Sequence, residues 1–195
     1  GSWGNISVRI NPNLIAVTPS GQPYDTLRET DILLVNASGE KLSEKGIPSS
    51  ELPLHLALYE NIADCQAIIH THSTYASICA ALHQPIPSLL EDTAQIAGRA
   101  INVADYALAG TTELALNAVK AIGSSDAVLL ANHGAVCCAR SLEEALFIAE
   151  IVEKSAQVFC VASAIGTIVP LPDQDIKQLR SFYLNHYSKR QKGKE

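Results

Sequence analysis

The stretch AVLLANHGAVCC, residues 127–138, contains two apolar runs on either side of the triplet NHG, residues 132–134. Asn and Gly favour tight turns, so the two runs are predicted to pair as the antiparallel strands of a hairpin. The sequence SLEE that follows, residues 141–144, is typical of a helix start, and the apolar pattern continues to about residue 165. A strand pair followed by a long helix indicates a sheet with helices packed on it.

The rest of the chain extends this alternation of strands and helices. Three short apolar runs joined by Pro, Gly and Asn turns come first, and helical and strand patterns then alternate. The predicted strands are 6–10, 14–17, 32–35, 65–69, 100–103, 127–131 and 135–138, and the predicted helices are 51–60 with Ser50 as N-cap, 74–82, 111–122, 141–165 and 173–187. We therefore expect an α/β fold of the α+β type, with one domain over residues 1–195 and a largely antiparallel central sheet covered by helices on both faces.

The composition is typical of a folded protein that binds neither nucleic acid nor membrane. Hydrophobic residues make up 47% and charged residues 17% of the 195 residues, which is enough to bury a core. The formal net charge of −6 excludes general binding to nucleic acid or to an anionic membrane surface. Basic residues are concentrated at the end, so residues 188–195 are predicted to form a solvated basic tail.

The five cysteines lie in apolar stretches and show no CxxC spacing. This usage is typical of buried free thiols in a reducing compartment, and neither a disulfide framework nor a zinc knuckle is expected. No apolar run approaches the roughly 18–20 residues of a membrane span. We therefore expect a cytoplasmic protein.

Three of the six histidines indicate a metal site. His70 and His72 follow an apolar run, and residues i and i+2 of a strand lie on one face, so the two imidazoles should project together. His133 ends another apolar run, and three such imidazoles would bind Zn²⁺ with an open position for a substrate oxygen. One buried and one surface histidine is the alternative for His70 and His72. His55 is interpreted as a packing or supporting residue, and no role is assigned to His83.

A second polar cluster, Ser49, Ser50 and Glu51, lies at the start of a predicted helix. Hydroxyl groups and free backbone N–H groups at a helix start can bind an anion such as phosphate. The carboxylate of Glu51 would then stand beside the bound anion. The same residues also fit an ordinary helix cap, and the small polar pairs at 4–5 and 20–21 also fit simple turns.

Together, these clusters resemble the class II aldolase/adducin superfamily of sugar-phosphate aldolases and related epimerases. Five motifs carry the resemblance: GNISVR at 4–9, TPSG at 18–21, PSSE at 48–51, HTH at 70–72 and NHG at 132–134. The intervals are also similar, with 19 residues from Glu51 to His70 and 61 from His72 to His133. The similarity spans nearly the whole chain, although the family's first helix is expected to be missing at the N-terminus.

The resemblance implies a metal site and a phosphate site shared by one active site. His70, His72 and His133 would bind Zn²⁺, or another divalent metal such as Mn²⁺ or Co²⁺. Glu51 would be the catalytic acid/base. The substrate phosphate would be held by Asn5, Ser20, Gly21, Ser49 and Ser50. The family also implies a homotetramer, in which a tyrosine near the end of one subunit, matched by Tyr187 or by Tyr183, reaches the site of a neighbour; Tyr187 is the residue predicted here.

The implied function is zinc-dependent aldol cleavage of a ketose 1-phosphate to dihydroxyacetone phosphate and an aldehyde, with condensation as the reverse reaction. Glutamate at position 51 favours this activity over the epimerase branch, which prefers aspartate. At Glu91 the family's aldolases carry a tyrosine, so the aldehyde is not identified. L-ribulose-5-phosphate 4-epimerase and methylthioribulose-1-phosphate dehydratase activities remain alternatives. So does a non-catalytic adducin-like scaffold, although a scaffold would not need three metal-binding histidines.

Overall fold

The computed structural model describes residues 3–187, except for the side chain of Tyr187. The strands of this part of the chain are β1 (Asn5–Asn11), β2 (Leu14–Val17), β3 (Leu33–Asn36), β4 (Ala67–Thr71), β5 (Ile86–Pro87), β6 (Ala100–Ile101), β7 (Val103–Ala104), β8 (Ala127–Leu130) and β9 (Gly134–Ala139). Its α-helices are α1 (Leu52–Asn61), α2 (Thr74–Ala81), α3 (Glu91–Ala97), α4 (Thr112–Ile122), α5 (Leu142–Ile165) and α6 (Asp173–Phe182). The predicted tail at 188–195 lies outside the described residues.

The predicted α/β fold with a largely antiparallel sheet is confirmed. Seven strands form one sheet in the order β3-β2-β1-β4-β9-β8-β7, while β5 and β6 pair separately. Neighbours in the large sheet are antiparallel, except for the parallel pair β7 and β8. The predicted hairpin is present as β8 and β9, and β4 pairs with β9. This pairing places residues 70–72 beside the turn at 132–134.

Helices cover both faces of the sheet because side chains alternate along its strands. Ala67 and Ile69 of β4 pack on the face covered by α2, α3 and α5, whereas Ile68 packs on the face covered by α1 and α4. All residues of β8 and β9 are buried. A strand buried on both faces is apolar throughout, which explains the continuous apolar runs within residues 127–138.

The structure differs from the predicted elements at several boundaries. The sequence pattern does not predict α3, because its seven residues are too few for a helical period to show. β4 begins and ends two residues later than predicted, since its pairing with β9 continues to Thr71. Asn102 divides the strand predicted at 100–103 into β6 and β7. The N-cap of α1 is Glu51 in place of Ser50.

All five cysteines are free thiols, and four of them are buried, as the sequence predicts. The fifth, Cys160 of α5, has its Sγ 3.7 Å from that of Cys79 in α2. No helix within residues 3–187 combines the length and apolar character that a membrane span requires.

An ion pair anchors α6 to the body of the fold. The Arg180 guanidinium donates hydrogen bonds to both carboxylate oxygens of Asp126, at 2.7 and 2.9 Å. It also donates to three backbone carbonyl oxygens, those of Gln95, Ile96 and Ser124. The side chain of Arg180 is only 13% exposed, so water screens this pair weakly.

Arg180→Leu is expected to lower the free energy of unfolding by about 3 kcal/mol, because it leaves the Asp126 carboxylate and three carbonyl groups without their donor. Urea unfolding measures this loss. Arg99→Leu is the matched control, since the Arg99–Asp173 pair also involves α6 but its side chains are 82% and 63% exposed. An exposed pair contributes little, so the control should unfold as the wild type does. Equal losses in the two variants would contradict this account of Arg180.

Candidate active site

Three imidazole rings meet at one end of the central sheet. His70 lies in β4, His72 follows that strand, and His133 lies in the turn between β8 and β9. The ring centroids of each pair of these histidines are 4.7 Å apart, with interplanar angles of 68–81°. The structure therefore brings the three predicted metal ligands together around one point.

The turn that carries His133 depends on the residues on either side of it, Asn132 and Gly134. Asn132 has a φ of 56°, in the left-handed region that Asn tolerates better than most residues. A Cβ on Gly134 would lie 2.2 Å from the carbonyl oxygen of Thr71 and 3.2 Å from the ring of His72. Glycine therefore lets the turn approach β4 closely enough for His72 and His133 to meet, which explains the NHG triplet.

His70 is held in one tautomer by the neighbouring strand. Its Nδ1 lies 2.9 Å from the carbonyl oxygen of Ala135, which can only accept a hydrogen bond, so Nδ1 carries the proton. In the neutral ring, Nε2 then presents a lone pair towards His72 Nε2 at 2.8 Å and Glu51 Oε2 at 3.1 Å. A ring oriented through its other nitrogen in this way is typical of a metal ligand.

Glu51 is buried beside these rings, at the N-terminus of α1. Its Oε2 accepts a hydrogen bond from Asn5 Nδ2 at 2.7 Å. Its Oε1 is buried without a hydrogen-bond partner and lies 3.4 Å from His133 Nε2. Burial raises the pKa of this carboxyl, but its interaction with the neighbouring His70 outweighs burial. With Asn5 and His133 acting in the same direction, the pKa of Glu51 falls to about 2, so the carboxylate is ionised at neutral pH.

These four side chains fit a divalent cation. One ligand atom from each of Glu51, His70, His72 and His133 lies within 4.8 Å of the others. Burial lowers the pKa of His72 to about 4 and also lowers the pKa of His133, in both cases with help from the charge of His70. Both rings are therefore neutral at neutral pH and can donate lone pairs. A cation held by the three imidazoles would lie beside the unpartnered carboxylate oxygen, and imidazole with carboxylate suits Zn²⁺, Mn²⁺ or Co²⁺.

The five predicted phosphate-binding residues line one cavity of about 260 Å³ beside this cluster. The cavity wall includes Asn5, Ser20, Gly21, Ser49 and Ser50 together with Glu51, His72 and His133. A backbone bridge between Pro19 and Pro48 brings the TPSG and PSSE segments side by side. The Ser49 hydroxyl accepts the N–H of Glu51, the N-cap residue of α1, and so holds this segment against the start of the helix. Among the residues that the structure describes, none that lines the cavity is Lys or Arg, so these residues would hold an anion through hydroxyl, amide and backbone N–H groups.

A double row of polar residues behind Glu51 was missed by the sequence analysis. The row consists of Asn5, Ser7 and Arg9 on β1 and Glu51, His55 and Tyr59 on α1 and its N-cap. Two residues along a strand advance about 6.8 Å and four residues along a helix advance about 6 Å. Each polar residue of the strand can therefore lie opposite a polar residue of the helix. Hydrogen bonds join the two rows along their length. The sequence did contain a signal for this row, because polar residues occupy every second position of residues 5–9 and every fourth position of residues 51–59.

Two further contacts at the site were also missed. His83 Nε2 donates a hydrogen bond to Asn132 Oδ1 at 2.6 Å, so His83 supports the turn that carries His133. Trp3 stacks on His72 with ring centroids 5.8 Å apart and lines the same cavity. Neither contact has a local signal in the sequence, because each joins segments that are distant along the chain.

Two other residues considered from the sequence, Glu91 and Tyr183, do not line the cavity. Glu91 is the exposed first residue of α3 and does not line the cavity. Tyr183 is buried, and its hydroxyl donates to Glu144 at 2.8 Å, so this tyrosine packs within its own chain. The side chain of Tyr187, predicted to reach a neighbouring subunit, lies outside the described part of the chain.

Known proteins are similar to this chain in both sequence and fold. Residues 1–160 match the family described as the class II aldolase and adducin N-terminal domain. The chain belongs to this family. Within it, the L-fuculose phosphate aldolase of Escherichia coli O6:H1 is 37% identical over 177 residues, which cover 90% of this chain and 81% of the relative.

Two more comparisons extend this result. The 5-deoxy-D-ribulose 1-phosphate aldolase of Bacillus thuringiensis serovar kurstaki is 36% identical over 180 residues, covering 92% of this chain and 84% of the relative. A solved structure of an L-fuculose 1-phosphate aldolase superimposes with a TM-score of 0.90 and 39% identity, covering 94% of this chain and 87% of that one. The family match and these relatives confirm that the chain is a class II aldolase enzyme, as the sequence motifs predict, and the scaffold alternative is set aside.

Proposed function

We propose that this class II aldolase cleaves a ketose 1-phosphate to dihydroxyacetone phosphate and an aldehyde in a zinc-dependent reaction, and catalyses the reverse condensation. The observation that carries the proposal is the position of Glu51. The carboxylate of Glu51 lies against the cluster of three imidazoles, its Oε1 has no hydrogen-bond partner, and the residue lines the same cavity as the predicted phosphate-binding residues. A base, a Lewis-acid site and an anion site in one cavity are the parts that this reaction needs.

Each group of residues would have a distinct role in this reaction. A divalent cation held by His70, His72 and His133 would supply Lewis-acid chemistry towards the substrate carbonyl. In condensation, Glu51 takes a proton from the carbon next to the carbonyl of dihydroxyacetone phosphate. The aldehyde oxygen gains a proton as it becomes a hydroxyl in this condensation. In cleavage, that hydroxyl gives up its proton as the carbon–carbon bond breaks, and Glu51 returns a proton to the released carbon. Asn5 donates to Oε2 throughout and leaves Oε1 to exchange the proton.

The phosphate would be held by other residues that line the same cavity. The side chains of Ser20, Ser49 and Ser50, the amide of Asn5 and the backbone of Gly21 surround this space. The second N–H of the Asn5 amide is available to the phosphate, since the first is bonded to Glu51.

Ser50→Ala is expected to lower kcat/KM on a phosphorylated ketose by about 10–100-fold, the equivalent of losing one hydrogen bond to a charged group. Metal content should not change, because Ser50 is outside the metal-binding cluster. Ser38→Ala, in a surface turn that does not line the cavity, is the control and should retain wild-type kinetics. If wild-type enzyme were equally active on phosphorylated and unphosphorylated ketoses, residues 49–51 would form only a helix cap.

The decisive test of the proposed function is a synthesis assay. Metal-loaded protein is incubated with dihydroxyacetone phosphate and a panel of aldehydes that includes those expected from fuculose and deoxyribulose 1-phosphates. We expect new ketose 1-phosphates, identified by mass spectrometry and NMR. Epimerisation of a pentulose 5-phosphate, or loss of water from methylthioribulose 1-phosphate, without any condensation product would overturn the aldolase proposal.

We further propose that the enzyme acts in the cytoplasm as a homotetramer, with Tyr187 completing the site of a neighbouring subunit. Membership of the family and the free thiols support this proposal. Exposed apolar side chains on α5, such as Leu146 and Ile165 at 53% and 81% exposure, offer surface for subunit contacts. Sedimentation and activity measured on one sample test it, and a fully active monomer would refute it.

A further inference from the structure

The polar row behind Glu51 is a continuous chain of hydrogen bonds. His55 Nε2 lies 2.5 Å from Asn5 Oδ1, and His55 Nδ1 lies 2.7 Å from the hydroxyl of Ser7. The Ser7 hydroxyl in turn lies 2.8 Å from the hydroxyl of Tyr59. His55 is the central member of this chain and has no exposed surface. The chain ends at Oε2 of Glu51, on the side of the carboxylate opposite the unpartnered oxygen.

The direction of every hydrogen bond in the chain follows from its end at Glu51. A carboxylate only accepts, so the Asn5 amide must direct Nδ2 towards Glu51 and Oδ1 towards His55. His55 Nε2 must then carry a hydrogen. Burial lowers the pKa of His55 to about 3, with help from the charge of His70, so the ring is neutral and Nδ1 accepts from Ser7. The Ser7 oxygen then accepts from Tyr59.

We propose that His55 is a positioning residue for proton transfer, because its Nε2–H holds the Asn5 amide in the one orientation that donates to Glu51. This inference rests on the acid/base role proposed for Glu51. Rotation of the amide by half a turn would place Oδ1 against the carboxylate and repel it. Among the described residues, only Glu51 and His55 hydrogen-bond to the Asn5 amide, one at its nitrogen and the other at its oxygen. His55 therefore holds the far end of the amide, which keeps Nδ2 against Oε2 and leaves Oε1 to exchange the proton.

A pair of variants separates this role from simple packing. His55→Leu removes the donor, whereas His55→Gln keeps an N–H that can reach Asn5. We expect His55→Leu to lower kcat by about 10–100-fold, the scale of a misplaced catalytic group, with KM within about twofold of wild type and metal content unchanged. His55→Gln should recover most of the lost kcat. Leu58→Ala, at a fully buried position of the same helix, is the control and should lower the melting temperature without lowering kcat.

A double variant distinguishes failure of this inference from failure of the proposed function. In a Glu51→Gln background, His55→Leu should lower turnover little further, since no carboxylate remains to be oriented. A full additional loss there, or equal losses for His55→Leu and His55→Gln, would overturn the positioning role alone. Near-normal turnover of Glu51→Gln itself would instead overturn the acid/base role that the proposed function gives to Glu51.

A spectroscopic measurement on the wild-type protein tests the inference in case His55→Leu does not fold. Nitrogen-15 NMR of histidine-labelled, metal-loaded wild-type protein reports which ring nitrogen of His55 carries the proton, and the His55→Gln spectrum identifies its signal. We expect a neutral ring protonated at Nε2. A ring protonated at Nδ1 would overturn the inference, because it could not donate to Asn5.

Discussion

Glu51→Gln should lower kcat for cleavage of a ketose 1-phosphate by about 10²–10⁴-fold, the scale of a lost general acid/base group. Glutamine has nearly the same shape and can still accept from Asn5, but its amide cannot take a proton from carbon. The affinity for phosphate and the metal content should therefore remain close to wild type. Steady-state kinetics, isothermal titration with substrate phosphate and metal analysis of one preparation measure the three quantities.

Glu91→Gln is the matched comparison for this experiment. Glu91 is the other carboxylate considered from the sequence, but it is exposed at the start of α3 and does not line the cavity. If Glu51→Gln retained near-normal turnover while Glu91→Gln lost it, the acid/base role would move to Glu91. The same result would remove the basis for the role of His55.

The second large effect is expected from removing two imidazoles at once. His72→Ala combined with His133→Ala should reduce the bound metal from about one ion per chain to near zero, because one imidazole and one carboxylate do not hold a divalent cation tightly. Loss of Lewis-acid stabilisation of several kcal/mol should lower turnover by at least about 10³-fold. Metal analysis after dialysis and the cleavage assay check the two parts of this prediction.

Cys160→Ser is the control for metal loss. Cys160 carries a partly exposed thiol that could bind zinc but lies outside the Glu51–His cluster. This variant should keep its metal and its activity. Unchanged metal content in the double histidine variant would show that the ion binds elsewhere, and loss of metal in Cys160→Ser would point to that thiol.

The parts of the fold that the sequence predicted are those encoded locally. The β8–β9 hairpin is visible because Asn132 and Gly134 interrupt two apolar runs, and α5 is visible because its pattern lasts for 24 residues. Glu51, His70 and His72 were identified because each lies in a short motif with spacing similar to that of a known family. α3 was missed because a helix of seven residues shows less than two full turns of pattern.

The candidate residues Glu51, His70, His72 and His133 and the order of most strands and helices were thus predicted from the sequence alone, through turn chemistry, hydrophobic period and motif spacing. Only the tertiary structure decided how the two oxygens of Glu51 differ. That difference arises because β1 and α1, which are more than 40 residues apart in sequence, pack with their polar rows in register, so that Asn5 binds Oε2 and His55 orients Asn5. Contacts of this kind depend on packing between distant segments, and no local pattern in either segment specifies its partner.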